Sequence, residues 1–357
     1  MPDTQPDPTS VPPATRRQRR GHGRATMDDV AGLAQVTKIT VSRYLREPDR
    51  VAPDTAARIR AALVQTGYVP NRQAGHLASG HSRMVAALIP NVGHSIFAET
   101  IQGLTEGLSG SGHELLLGAT GYSLEREEAQ LRALLGWAPG AIIVTGRHHS
   151  EGSLRLLRQA QANGTPVIEI WDHAPDQPAS QGFAQIGFSH DAVGRAMAQH
   201  LLDLGHRRLA YVDSGVAEDF RAHERGQAFA DQAQAAGAQV MSLQAPTGDA
   251  FDAGRAMLPR LLAAGVSAAA FANDHLASGA LLQARDDGVS VPGRLALLGF
   301  GDFPIGRQLQ PALSTVRPPR EEIGRAAARA VWAALVDRRA AESEALAWVL
   351  IGRQSTR

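Results

Sequence analysis

The chain has 357 residues, 43% of them hydrophobic and 20% charged, a composition ordinary for a folded protein and a length too great for one small core. Its formal net charge is only +1, and it has no cysteine, which excludes disulfides, iron–sulfur clusters and thiolate zinc sites. The longest apolar runs fall well short of a membrane span, and the polar, proline-rich start lacks the apolar stretch of a secretory signal, so a cytoplasmic protein is expected.

Residues 1–24 end in Arg16, Arg17, Arg19, Arg20 and Arg24, and their composition predicts a disordered basic tail. Its basic end could touch nucleic acid or simply remain solvated. Thr26 with Asp29 three residues on predicts a capped helix start, and Val30, Ala31 and Leu33 give that helix a short apolar face. Thr37 is placed to cap a second helix, in which Ile39 or Thr40, Val41, Tyr44 and Leu45 recur near helical spacing. Two short helices joined by a tight turn make a helix-turn-helix, whose second helix can enter a major groove. Lys38, Thr40, Ser42 and Arg43 then point outward, and each can donate to a phosphate or a base edge. The pair taken alone fits a plain two-helix core element equally well. Pro53 at a start, Ala56, Ile59 and Leu63 on one face and Gly67 at the end predict a third helix that closes a small bundle. The run NRQAGHLASGH between Pro70 and Gly80 is only weakly helical and reads as a linker.

From Met84 onward the pattern changes to alternating strands and helices. MVAALIP, HELLLGAT, GAIIVTG and TPVIEIW suit buried parallel strands, and FAETIQGLTEGLSG, SLEREEAQLRALL and SEGSLRLLRQAQANG have amphipathic helical spacing. The alternation repeats through AQIGFS, RRLAYVDS, QVMSLQAP, AAAFAND and LALLGFG, with helices at 190–203, 221–236, 251–263 and 275–287. Two runs of such units predict an α/β protein with two lobes of doubly wound parallel sheets, and a ligand between them at the carboxyl ends of the strands.

The order D-V-A, V-T-K-I-T-V-S-R-Y-L, T-G-Y-V-P-N, then D-L-G-H-R-R-L-A-Y-V, F-A-N-D-H-L-A-S-G-A-L, V-P-G-R-L-A-L-L-G-F-G-D and L-S-T-V-R-P-P resembles the lactose-repressor family of bacterial transcription regulators. The resemblance runs from about residue 25 to the C-terminus, and VTKITVSRYLREPDRV is worded most like the gluconate repressors within it. It implies a helix-turn-helix head at 25–70, a hinge helix at 71–81 and a periplasmic-binding-protein-like effector and dimerisation domain at 82–357. The chain would cross between lobes near 182–186, 299–303 and 315–320. Lobe one would comprise about 83–184 and 300–318, and lobe two about 185–299 and 319–357, ending with a helix at 321–336.

The resemblance also implies roles for residues. Thr26, Thr37, Lys38, Ile39, Thr40, Ser42 and Arg43 in the head would contact DNA, as would Asn71, Arg72, Ala74 and Leu77 in the hinge. Leu77 would wedge into the minor groove with its copy from a second subunit. The family's turn glycine is replaced by Gln35, which would pay about 1–2 kcal/mol to adopt a left-handed conformation. Phe97 would wall an effector site, Arg147 would fork onto a carboxylate, and Asn273 with Asp274 would close the strand AAAFAND at the cleft, Asp274 accepting from hydroxyls. The arginine usually found three residues before a G-F or G-W pair is His223 here, so Arg221 or His223 would substitute. The acidic residue expected after the fourth strand is displaced, leaving Trp171 with Asp172 next to it. That shift suggests a polyhydroxy acid rather than a purine or neutral disaccharide.

The histidines lack metal-ligand spacing, Gly299-x-Gly301 does not fit a dinucleotide loop, and no G-x-S-x-G or Walker loop is present. No cofactor, metal or catalytic activity is therefore expected. The chain reads as a nucleoid-associated homodimer, or a tetramer, that binds palindromic operator DNA and a sugar or sugar-acid effector, most simply as a repressor of carbohydrate genes. A sugar transport protein would need export, and an enzyme with a regulatory head would need a catalytic constellation.

Overall fold

The computed structural model describes residues 25–69, 82–93, 96–174 and 182–357. The basic tail, the hinge residues Asn71, Arg72, Ala74 and Leu77, and the expected hinge helix lie outside the described residues. The chain divides into two compact units, 1–80 and 81–357.

The first unit holds α1 (Met27–Ala34), α2 (Lys38–Arg46) and α3 (Pro53–Thr66). Thr26 accepts from the Asp29 backbone while the Asp29 carboxylate accepts from the Thr26 N–H, so the first helix begins with a full capping box. Thr37 caps α2 through the backbone N–H of Thr40 at 3.2 Å. Gly67 ends α3 in the left-handed conformation, where glycine carries no Cβ penalty. Gln35 ends α1 with φ 54° and ψ 48°, so the turn takes the left-handed geometry despite the missing glycine. Val30, Ala31, Ala34, Val41, Ile59 and Ala62 form the core of this unit.

The second unit alternates strands with helices: β1 (Met84–Ile89), α4 (Ala98–Leu108), β2 (Glu114–Ala119), α5 (Leu124–Leu135), β3 (Ala141–Thr145), α6 (Glu151–Ala162), β4 (Val167–Ile170) and β5 (Ala184–Gly187). It continues with α7 (His190–Asp203), β6 (Arg208–Asp213), α8 (Phe220–Ala235), β7 (Gln239–Gln244), α9 (Ala250–Ala263), β8 (Ala268–Phe271), α10 (Asp274–Asp286), β9 (Ala296–Phe300) and α11 (Pro304–Gln308). The last elements are β10 (Ser314–Arg317), α12 (Arg320–Leu335), β11 (Glu344–Ala345) and β12 (Val349–Ile351). One sheet has the order β11-β5-β4-β3-β1-β2, the other β12-β10-β9-β8-β6-β7, and only the β10–β12 pairing is antiparallel. The two lobes of doubly wound sheet are thus as the alternation predicts. The inner strands are buried apolar runs, which suits parallel strands covered on both faces.

The lobe boundaries differ from the expectation. β9 and β10 both lie in the second sheet, Ser314 paired with Leu298 and Val316 with Phe300, so no crossing occurs near 299–303. α12 belongs to lobe one instead of ending lobe two. It packs on α4 so closely that a Cβ on Gly103 would lie 2.2 Å from the Glu321 carbonyl oxygen, and one on Gly324 would lie 2.0 Å from that of Thr100. The chain crosses after β5 at Phe188–Ser189, after β10 at Pro318–Pro319, and after β11 at residues 346–348.

Candidate functional site

In the first unit, α2 presents Lys38, Ile39 and Arg43 to solvent, with Thr40 and Ser42 half-buried. Val41 is the residue of α2 that enters the core, with Tyr44 and Leu45 packed beside it. Ile39 is 71% exposed. A large apolar side chain in water beside a lysine has no packing role in this bundle, and contact with a thymine methyl would give it one. Lys38 Nζ lies 3.0 Å from Asp28 Oδ2, an exposed pair that costs little to break. Thr26 and Thr37 are exposed but already serve as caps.

In the second unit, a cavity of about 110 Å³ lies between the lobes. Lobe one supplies Asn91, Ile96, Phe97, Tyr122 and Trp171, and lobe two supplies His190, Asp219, Arg221, Arg225, Ala272, Asn273, His275, Phe300 and Phe303. Trp171 follows β4 in a left-handed conformation, φ 69°, a strained backbone at a cavity wall. Its indole Nε1 donates to Thr100 Oγ1 at 3.1 Å, and Phe97 meets its ring edge-on at 5.0 Å. Arg221 and Arg225 stand one turn apart on α8, so both guanidiniums reach the same face. The Arg225 guanidinium lies 3.9 Å from the Phe300 ring centroid and donates to the Ala272 carbonyl at 2.9 Å. The cavity therefore combines two cations, one carboxylate at Asp219 and aromatic walls.

The expected effector residues separate into three groups. Phe97, Trp171, Arg221 and Asn273 line the cavity. Arg147 and Asp172 do not. They form a buried cluster beside it, where Arg147 donates to Glu224 Oε2 at 2.6 Å and its Nε lies 3.4 Å from Asp172 Oδ1. Arg147 is thus engaged by the protein's own carboxylates, because α8 brings Glu224 across from the opposite lobe. His223 faces Asp213 at 3.4 Å, and Asp274 lies behind the wall with no exposed surface. Asp274 accepts from Thr315 Oγ1 at 2.6 Å and from the Phe303 N–H at 2.8 Å, so both of its oxygens are used to hold the loop that carries Phe303. Asn273 caps α10, accepting from the Leu276 N–H at 3.0 Å.

Burial pushes the Asp172 carboxyl up to about 7 against the pull of Arg221 and Arg147, and pushes Asp274 up to about 6 despite its two donors. Burial and the adjacent arginines hold His190 well below the usual histidine range. Arg225 stands near Arg221 in the sequence without a role expected of it, and His190, Tyr122, Asp219, His275, Phe300 and Phe303 are not among the expected effector residues. The i, i+4 spacing from Arg221 was the available signal for Arg225; His190 carried only its place after Ser189, and Tyr122 carried none.

Comparison with known proteins places the chain. Residues 26–71 match the family described as bacterial regulatory proteins, lacI family, and residues 198–356 match the periplasmic binding protein-like domain. The chain is 36% identical over 345 residues to the HTH-type transcriptional regulator GntR of Pseudomonas aeruginosa, covering 95% of this chain and 98% of the relative. The chain belongs to the lacI family. A lacI-family regulator from Silicibacter pomeroyi superposes with a TM-score of 0.85 at 32% identity, covering 93% of this chain and 99% of that one. The regulator GntR from Chromobacterium violaceum gives 0.69 at 32% identity, over 76% of this chain and 99% of its own. A lacI-family chain of this kind is a DNA-binding transcription regulator and not an enzyme.

Proposed function

We propose that the chain represses genes of carbohydrate or sugar-acid metabolism and is controlled by a gluconate-like acid bound between its lobes. The observation that carries the reading is the pair Arg221 and Arg225 on one wall of an otherwise aromatic and polar cavity. A guanidinium in a partly dry cleft pairs with a carboxylate far better than with a hydroxyl, while Asn273 and Asp219 suit hydroxyl groups. The arginine that meets the acid is Arg221, in the place first expected of Arg147. In this reading Lys38, Ile39, Thr40, Ser42 and Arg43 meet a palindromic operator, with Thr26 and Thr37 at the helix starts, and the hinge residues Asn71, Arg72, Ala74 and Leu77 continue the contact in a homodimer.

A ligand shifts the lobes only by its differential affinity for the closed form. Calorimetry of the full chain with D-gluconate, beside neutral sugars of the same size, tests the reading. Arg221→Ala should weaken gluconate about tenfold or more, the worth of one charge-assisted hydrogen bond. Heat from the neutral sugars alone would end the acid assignment.

A further inference from the structure

His190 is the first residue of α7 in lobe two, and among the described residues it belongs to no group of side chains that could hold a metal ion. It is 1% exposed and touches two groups whose hydrogen-bonding roles are fixed. Its Nε2 lies 2.8 Å from the carbonyl oxygen of Trp171, which can only accept. Its Nδ1 lies 2.9 Å from Arg225 Nη1, which can only donate. The ring must therefore be neutral, protonated on Nε2 and bare on Nδ1. Arg225, Arg221 and Arg147 face it with positive charge, and a second ring proton would abolish the acceptor that Arg225 uses.

Each partner matters to the cavity. Trp171, like Tyr122, is a left-handed residue of lobe one that lines the cavity, and Arg225 is a cation of lobe two in the same cavity. Arg225 is only 4% exposed, and its Nε has no hydrogen-bond partner among the described residues. Its direction is thus set by His190, the Ala272 carbonyl, the Phe300 ring and the buried Tyr211 hydroxyl beside it. We infer that His190 is a positioning residue, coupling the Trp171 backbone of one lobe to the effector-facing Arg225 of the other through a single imidazole tautomer. This rests on the cavity being the effector site.

The test uses the full chain, with D-gluconate as probe, and three measurements. Long-range proton–nitrogen spectra of the wild-type histidine rings should show one ring protonated on Nε2, absent in His190→Leu, that does not titrate between roughly pH 8 and 5. His190→Leu, close in size but unable to accept, should lose about tenfold or more in gluconate affinity. His190→Asn, whose Oδ1 can stand where Nδ1 stood, should recover most of that loss. Equal affinity in the Leu and Asn variants, whether both impaired or both normal, overturns the inference. So does a ring protonated on Nδ1 or titrating in that range, a result that remains readable if the Leu variant fails to fold. Absence of any sugar-acid binding by the wild type is a different failure, of the effector reading, and leaves the tautomer measurement standing.

Discussion

Arg147 of lobe one and Glu224 of lobe two meet at 2.6 Å, and the same guanidinium faces Asp172 of its own lobe at 3.4 Å. One cation is shared by two carboxylates from opposite sides of the cleft. Neither Asp172 oxygen has a hydrogen bond among the described residues, so this arrangement satisfies Glu224 and leaves Asp172 short. Removing the shared cation takes the ion pair from Glu224 and leaves Asp172 with Arg221 as its neighbouring cation, and Arg147→Ala should cost about 3–5 kcal/mol of stability. Glu224→Gln should cost clearly less, because Arg147 can then turn fully to Asp172. Urea unfolding of the two variants measures the order, and a Glu224 variant as damaged as the Arg147 variant contradicts the sharing.

Asp172 also gives stability a pH dependence of unusual sign. Burial raises its carboxyl to about 7 in the native chain, against an ordinary value of 3.8. Between those values the native protein holds a proton that the unfolded chain has released, so this group's contribution falls as pH rises from about 4 to about 7. Asp274, raised to about 6 by burial, acts in the same direction. Asp302 acts oppositely. Burial would raise it, but Arg353, Arg307 and Arg317 hold it down to about 2, so its contribution is present above about 4 and lost as pH falls toward 2. In Asp172→Asn, the melting temperature relative to wild type should climb as pH rises from about 4 to 7. Parallel curves would show that Asp172 titrates normally.

The alternation of apolar runs with amphipathic segments made the two sheets and nearly every helix legible, from Met84–Ile89 to Ala296–Phe300. Local periodicity says where a strand is, not which sheet it joins. The boundaries implied by the resemblance put Ser314–Arg317 in lobe one and Arg320–Leu335 in lobe two, and the pairing of Ser314 with Leu298 and the contact of Gly103 and Gly324 with backbone put each in the other lobe. The two- and three-residue strands Glu344–Ala345 and Val349–Ile351 are too short to carry a period at all. At the site, Phe97, Trp171 and Arg221 were legible because they sit at element ends facing the cleft. Asp274 sits at such an end too, yet Thr315 and Phe303 take both of its oxygens, a tertiary fact that no local pattern carries.

Gln35 offers a test of local strain. It holds φ 54° with an exposed side chain, where a non-glycine residue pays for the close approach of its Cβ to the backbone. Gln35→Gly should stabilise the head by up to about 1 kcal/mol, the gain being trimmed by the greater freedom of glycine in the unfolded chain. Hydrogen exchange at the α1 and α2 amides reads this directly. Faster exchange in the glycine variant would mean that the glutamine contributes more than its backbone shape.

Lys38 is the residue on which operator choice should turn. It sits at the start of α2 beside the exposed Ile39, and it pairs with Asp28 through side chains that are 58% and 69% exposed. Such a pair is worth little in water, so the ammonium can leave it for a base edge at small cost. Lys38→Ala should then change the preference at one operator position by about 1–3 kcal/mol while leaving the other positions in order. Asp28→Ala should act differently, strengthening binding to all sequences if α2 meets DNA as proposed, because it removes a negative charge beside Lys38. Binding to a randomised operator library, at two salt concentrations, separates these outcomes. A Lys38 variant that weakens every sequence equally, with a shallower salt dependence, would place Lys38 on the phosphate backbone and leave the reading of bases to Ile39, Ser42 and Arg43.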